Sequence, residues 1–131
     1  MATPSEDLQE AVATALLSDA AVSGVVGDRV HDGRPRDGSF PAITFGPADY
    51  VPDDMDCISG RVETLQIDCW VRDSTGRLRP VRALADKVKA RLHGAELALA
   101  SHALAVLTVA SVRAFIDPDG ETGHAVVTLE A

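Results

Sequence analysis

Residues 61–72 read Arg-Val-Glu-Thr-Leu-Gln-Ile-Asp-Cys-Trp-Val-Arg, and their polarity alternates along most of that length. Leu65, Ile67, Cys69 and Val71 fall on one side of an extended chain. Thr64, Gln66, Asp68, Trp70 and Arg72 fall on the other. A period of two with β-branched and aromatic residues predicts a long strand with one buried face. A turn-like Asp73-Ser-Thr-Gly76 follows, and then an amphipathic helix with Pro80 in its first turn. Val81, Leu84, Ala85, Val88 and Leu92 make its apolar stripe. Arg82, Lys87, Lys89 and Arg91 lie on or near the opposite face and toward the C-terminal end, where cations suit the helix dipole. Gly94 is a natural stop. A strand handing directly to a helix is the expected spine of the fold.

The remaining segments arrange themselves around that spine. Thr3-Pro4-Ser5-Glu6 combines a capping Thr, Pro at the first helical position and Glu three residues after the cap. Leu8, Val12, Ala15 and Leu16 then recur at helical spacing, and residues 20–27 read as a turn or short helical fragment closing on glycine. Residues 28–31 suit a short strand, residues 32–39 a loop, and residues 40–45 an extended segment ended by Gly46-Pro47. Residues 46–60 lack periodicity and carry Asp49, Asp53, Asp54 and Asp56, so they read as a long acidic loop between two paired strands. Loops of that length inside a compact domain are usually functional or mobile. Further on, a short extended piece is expected at 97–100, and an inner strand from about Leu104 to Phe115. The turn Asp117-Pro-Asp-Gly120 and a returning strand over 124–130 complete the pattern. This is an α+β domain spanning residues 1–131: one mainly antiparallel sheet of four to five strands with two helices packed on one face.

A chain of 131 residues with 46% apolar and 24% charged content is a single globular domain by size and composition. No apolar run approaches the ~20 residues that span a bilayer, and the N-terminal residues lack a secretory signal, so a cytosolic origin and no membrane partner are expected. The net charge of −8 argues against a sequence-reading nucleic-acid binder. It is compatible with a protein past which DNA slides, because an acidic lining repels phosphates. Cys57 and Cys69 do not make a disulfide framework, and Cys69 sits in the apolar register of the strand as a small buried hydrophobe.

Chemistry-bearing constellations are weak. His31, His93, His102 and His124 show no i,i+4 pair, and no Cys-x-x-Cys exists, which argues against structural zinc. Asp53-Asp54-x-Asp56 lacks the spacing and closing Glu of a calcium loop, so a solvated acidic loop is the better reading. Gly24-Val-Val-Gly27 lacks the Lys-Ser/Thr of a phosphate-binding loop. No catalytic, cofactor-binding or metal-binding residue is expected. Trp70 stands out beside Asp68 and Arg72 on the polar side of the strand. Either a helix covers that face and Trp70 is core, or the ring is an exposed aromatic anchor at a subunit contact.

The motifs together resemble a known group. Gly27-Asp-Arg-Val-His31, Phe40-Pro-Ala-Ile-Thr-Phe-Gly46, Leu65-Gln-Ile-Asp-Cys-Trp-Val-Arg72, the helix over 81–92 and Asp117-Pro-Asp-Gly-Glu-Thr-Gly-His124 are similar to the small tail-completion or tail-terminator proteins of long-tailed bacteriophages and phage-derived gene transfer agents. That resemblance implies a structural virion protein and no enzyme: a homohexameric ring on the head-proximal end of the tail tube. The ring would stop tube polymerisation and join the tail to the head or neck. The implied partners are copies of itself, the tail tube protein and a head or neck connector protein, with DNA passing through unbound. Such a chain is assembled in the bacterial cytoplasm and resides in the particle. Interface candidates on this reading are Trp70, Arg72, Asp49, Tyr50, Asp53, Asp54 and Asp56. Two alternatives belong to other classes: a head–tail stopper of the neck, and a small cytosolic enzyme or ligand-binding domain.

Overall fold

The computed structural model describes residues 3–33, 40–55 and 59–131. Helix α1 spans Pro4–Ser18, and its start follows from the sequence. The Thr3 hydroxyl accepts from the Glu6 N–H while the Glu6 carboxylate accepts from the Thr3 N–H, so two orphan donors are satisfied at once. A short helix α2, Ala20–Val26, is capped by the Asp19 carboxylate, which accepts from the Val22 N–H. Strands β1 (Val30–Asp32), β2 (Ala42–Pro52) and β3 (Arg61–Arg72) follow. Helix α3 (Arg79–Leu92) and strands β4 (Thr108–Ile116) and β5 (Thr122–Glu130) complete the chain.

The five strands are ordered β1-β2-β3-β5-β4, with all pairs antiparallel except the short parallel pair β1–β2. β3 is the central strand, as its alternation predicts. Leu65, Ile67 and Cys69 join Ile43 and Phe45 of β2, and Ala125, Val127 and Leu129 of β5, in one buried cluster. The same cluster holds Leu8, Val12, Ala15 and Leu16 of α1, Val22 and Val26 of α2, and the whole expected stripe of α3. The fold class is therefore α+β, with three helices where two are expected from sequence.

Three boundaries differ from the expectations. β2 does not end at Gly46-Pro47. Those two residues form a bulge opposite Gln66, since Phe45 pairs with Ile67 and Ala48 with Leu65. Beyond the bulge the strand runs on to Pro52, so residues 46–52 of the expected loop are strand and pair with the start of β3 as a ribbon. β4 begins at Thr108 rather than about Leu104, and it is an edge strand rather than an inner one. The residues before β4 are held by other bonds. Asp7 accepts from the Ser101 N–H at 3.0 Å and contacts His102 Nδ1, and the Gly94 N–H donates to the Leu107 carbonyl. The hydrogen bond to His102 is the main reason why the Asp7 carboxyl titrates below its ordinary value. The expected extended piece at 97–100 is likewise not a strand.

Candidate interaction surfaces

Two regions built on β2 and β3 contain the residues singled out from the sequence. The first surrounds Trp70. Its neighbours across the strands are Ala42 on β2 and His124 on β5, and Phe115 of β4 lies opposite His124. The pleat therefore places one aromatic or imidazole ring on each of three adjacent strands, and Phe40 adds another just before β2. Trp70 stacks on His124 with ring centres 3.8 Å apart, and Phe115 tilts against His124 at 4.8 Å. Phe40 lies 6.3 Å from Trp70, with the Arg72 guanidinium 5.1 Å from the Phe40 ring centre.

Polar atoms beneath the rings are paired. Trp70 Nε1–H donates to the Thr44 hydroxyl at 2.9 Å. Asp68 Oδ1 accepts from the Gln66 amide at 2.9 Å and lies 2.7 Å from His124 Nε2. Gly46 is needed here, because a Cβ at that position would sit 2.5 Å from Asp68 Oδ2. Trp70 is only 6% exposed, which corrects the exposed-anchor alternative; of the two readings left open by the sequence, burial holds. His124 and Phe40 pack against it, and it lies outside the cluster that joins the helices to the sheet. Cys69, on the opposite side of β3, is a buried free thiol pushed up to about 12 by burial, and secondarily by the Asp68 charge.

The second region is the ribbon formed by the far half of β2 and the start of β3. Register runs Asp49↔Thr64, Tyr50↔Glu63, Val51↔Val62 and Pro52↔Arg61. At its tip the Asp53 N–H donates to the Gly60 carbonyl, and the Gly60 N–H donates to Asp54 Oδ1. Gly60 tolerates no side chain there, since a Cβ would meet the Asp53 carbonyl oxygen at 2.8 Å. The base is tied to both ends of the described chain. Glu63 exchanges two backbone hydrogen bonds with Ala131, and its carboxylate accepts from the Ser5 hydroxyl at 2.7 Å. The same carboxylate pairs with Arg61, whose guanidinium lies 3.9 Å from the Tyr50 ring centre.

The ribbon is exposed well beyond what its polarity suggests. Tyr50 is 51% exposed, Val51 65%, Met55 70% and Val62 41%. Apolar side chains concentrated on a projecting arm mark an interaction surface. Asp49, Asp53 and Asp54 lie on the same arm and are exposed, whereas Asp56 and Cys57 lie outside the described residues. At ~3.3 Å per residue, Trp70 and the arm residue Glu63 are about 23 Å apart along β3. The candidates therefore divide between the two regions. Met55, Val51 and Val62 are arm residues that sequence reasoning passed over, and Phe40, Phe115 and His124 are missed members of the ring cluster.

Among the described residues no group of three His, Cys, Asp or Glu side chains could hold a metal ion. His93 Nδ1 accepts from the Val109 N–H and so ties the end of α3 to β4. No helix is long and apolar enough to cross a membrane.

A small α+β subunit that displays apolar side chains along an arm has the build of a protein that works through its surface. The family model for the tail completion protein gp17 matches residues 10–131, and the chain belongs to that family, whose members are structural proteins of phage tails. Among solved structures, it is similar to a chain of the virion of a native gene transfer agent particle. That match has a TM-score of 0.85 and 24% identity, covering 95% of this chain and 92% of the other. No curated protein sequence matches it.

Proposed function

We propose that this chain caps the head-proximal end of a phage-like tail tube as a ring of identical subunits. The ring ends tube polymerisation and offers the surface to which the head or neck attaches. The family match over residues 10–131 carries this reading. Its support from the molecule is the exposed arm, an apolar surface that a working monomer has no reason to display. The likeness to a gene transfer agent particle chain is in keeping with residence in the virion. The resemblance implies six subunits, and cyclic closure needs two different patches that meet head to tail. Asp49, Tyr50, Asp53 and Asp54 on the arm, with Asp56 beside them in sequence, are the proposed contact residues. Trp70 and Arg72 contribute through the ring cluster that shapes the neighbouring face. The excess negative charge of the chain lets DNA pass without sticking. The role is structural and non-catalytic.

The test is electron microscopy of particles assembled without this chain. Tails with open, unevenly extended head-proximal ends that fail to join heads are expected. Tails of normal length, capped and joined, would end the proposal.

A further inference from the structure

We propose that the arm of one subunit docks on the exposed face of α3 of the next copy, and that this contact closes the ring. The inference rests on the ring reading above and names the two surfaces that meet. The arm offers Tyr50, Val51, Met55 and Val62 as exposed apolar groups among Asp49, Asp53 and Asp54. From Asp49 to Gly60 the sequence holds four aspartates and no Lys or Arg.

α3 carries the opposite charge. Residues 79, 82, 83, 86, 89 and 90 are all exposed and, at 3.6 residues per turn, share one side of the helix. They are Arg79, Arg82, Ala83, Asp86, Lys89 and Ala90: three cations, one anion and two small residues over which a ribbon can lie closely. The buried residues of α3 occupy the other side, and this face is exposed among the described residues.

Topology keeps the two surfaces apart within one subunit. The arm extends from β2 and β3, whereas α3 packs against β5, β4 and β3, toward the far edge of the sheet. An acidic, apolar projection on one flank and a basic face on the other form a heterologous pair, which closes a ring by repetition. Opposite charge steers the encounter and fixes the register, and the apolar groups supply buried area.

The test uses two charge-reversed variants added to tail tubes assembled without this chain. One carries Asp49→Lys and Asp53→Lys, leaving Asp54 to bind the Gly60 N–H. The other carries Arg79→Glu, Arg82→Glu and Lys89→Glu. Each alone should cap at least tenfold fewer tubes than the unaltered protein. An equimolar mixture should restore at least half of the capping, because each reversed arm then meets a reversed helix. Single variants that cap normally would overturn the docking. So would a mixture that caps no better than its components. In that case, loss of duplex-DNA retention by the helix variant alone would mark α3 as a DNA-facing surface instead.

A second measurement covers misfolding and separates this proposal from the tail-capping reading. In a Cys57→Ser background, Met55→Cys combined with Ala83→Cys or Ala90→Cys should oxidise to a ladder of linked subunits at high protein concentration without tubes. Neither single cysteine should go beyond a dimer. Absence of the ladder overturns the docking, and its presence with uncapped tubes overturns the capping role alone.

Discussion

The arm and the face around Trp70 are built from the same two strands, yet they deal with apolar surface in opposite ways. Around Trp70, the adjacent strands supply His124 and Phe115 and the segment before β2 supplies Phe40; the indole is buried within one subunit and its N–H is satisfied. Along the arm between Arg61 and Glu63, no third strand flanks β2 and β3 among the described residues, and Tyr50, Val51, Met55 and Val62 face solvent. A side chain is internal or external here according to how many strands flank it. Residue type alone does not decide, since the largest aromatic is hidden and mid-sized aliphatics are displayed.

The sharpest way to break this contrast is Trp70→Ala, which should cost about 3–5 kcal/mol because it empties a filled site. Denaturant unfolding measures it. A loss under about 1 kcal/mol would show that the ring contacts are idle and would return Trp70 to the list of contact residues. Asp68→Ala comes next. It leaves the Gln66 amide and His124 without their shared acceptor, at a cost of about 1–3 kcal/mol. An unchanged midpoint in the same assay would mean that the polar layer adds nothing.

Acid sensitivity should be milder and traceable to three depressed carboxylates, one of them Asp73, which is held below its ordinary value first by the Thr75 hydroxyl. The Thr122 hydroxyl, helped by backbone N–H groups, brings Asp119 down to about 2, and His102 lowers Asp7. All three are depressed in the fold, so their stabilisation is full above the ordinary carboxylate value. It fades as pH falls from about 4 toward the folded values, because the unfolded chain binds the proton first. Asp119→Asn should flatten part of that decline in a series of pH-dependent melts, and an unaltered slope would reject the assignment. The smallest effect on stability belongs to the arm. Met55→Ser with Val51→Thr should stay within about 0.5 kcal/mol of the parent in unfolding, yet abolish tube capping. A large stability loss would mean that the arm belongs to the fold and not to its contacts.

The sequence discloses the framework where hydrophobic spacing is regular. The alternation of residues 64–72 marks the central strand, and the stripe from Val81 to Leu92 marks α3 residue by residue. It conceals the far half of β2 for a definite reason. Before the bulge Ile43 and Phe45 are paired with the helix-side residues of β3, and after it Ala48 and Tyr50 are. The inward set shifts from odd to even numbers at Gly46-Pro47, and a strand whose phase jumps looks aperiodic. β4 is misjudged for another reason. The apolar residues 104–107 look like strand, but Asp7 binds the chain at Ser101–His102 and delays pairing until Thr108. The burial of Trp70 depends on side chains far away in sequence, at 40, 115 and 124, and no local pattern announces that meeting.

The double backbone link between Glu63 and Ala131 brings residue 131 alongside the root of the arm. A group attached at Ala131 therefore sits where the ribbon leaves the body of the subunit. A fluorophore placed there would sense the approach of a neighbour, whereas a bulky affinity handle would crowd it. Purification by such a handle would then yield well-behaved monomers with a blocked joint.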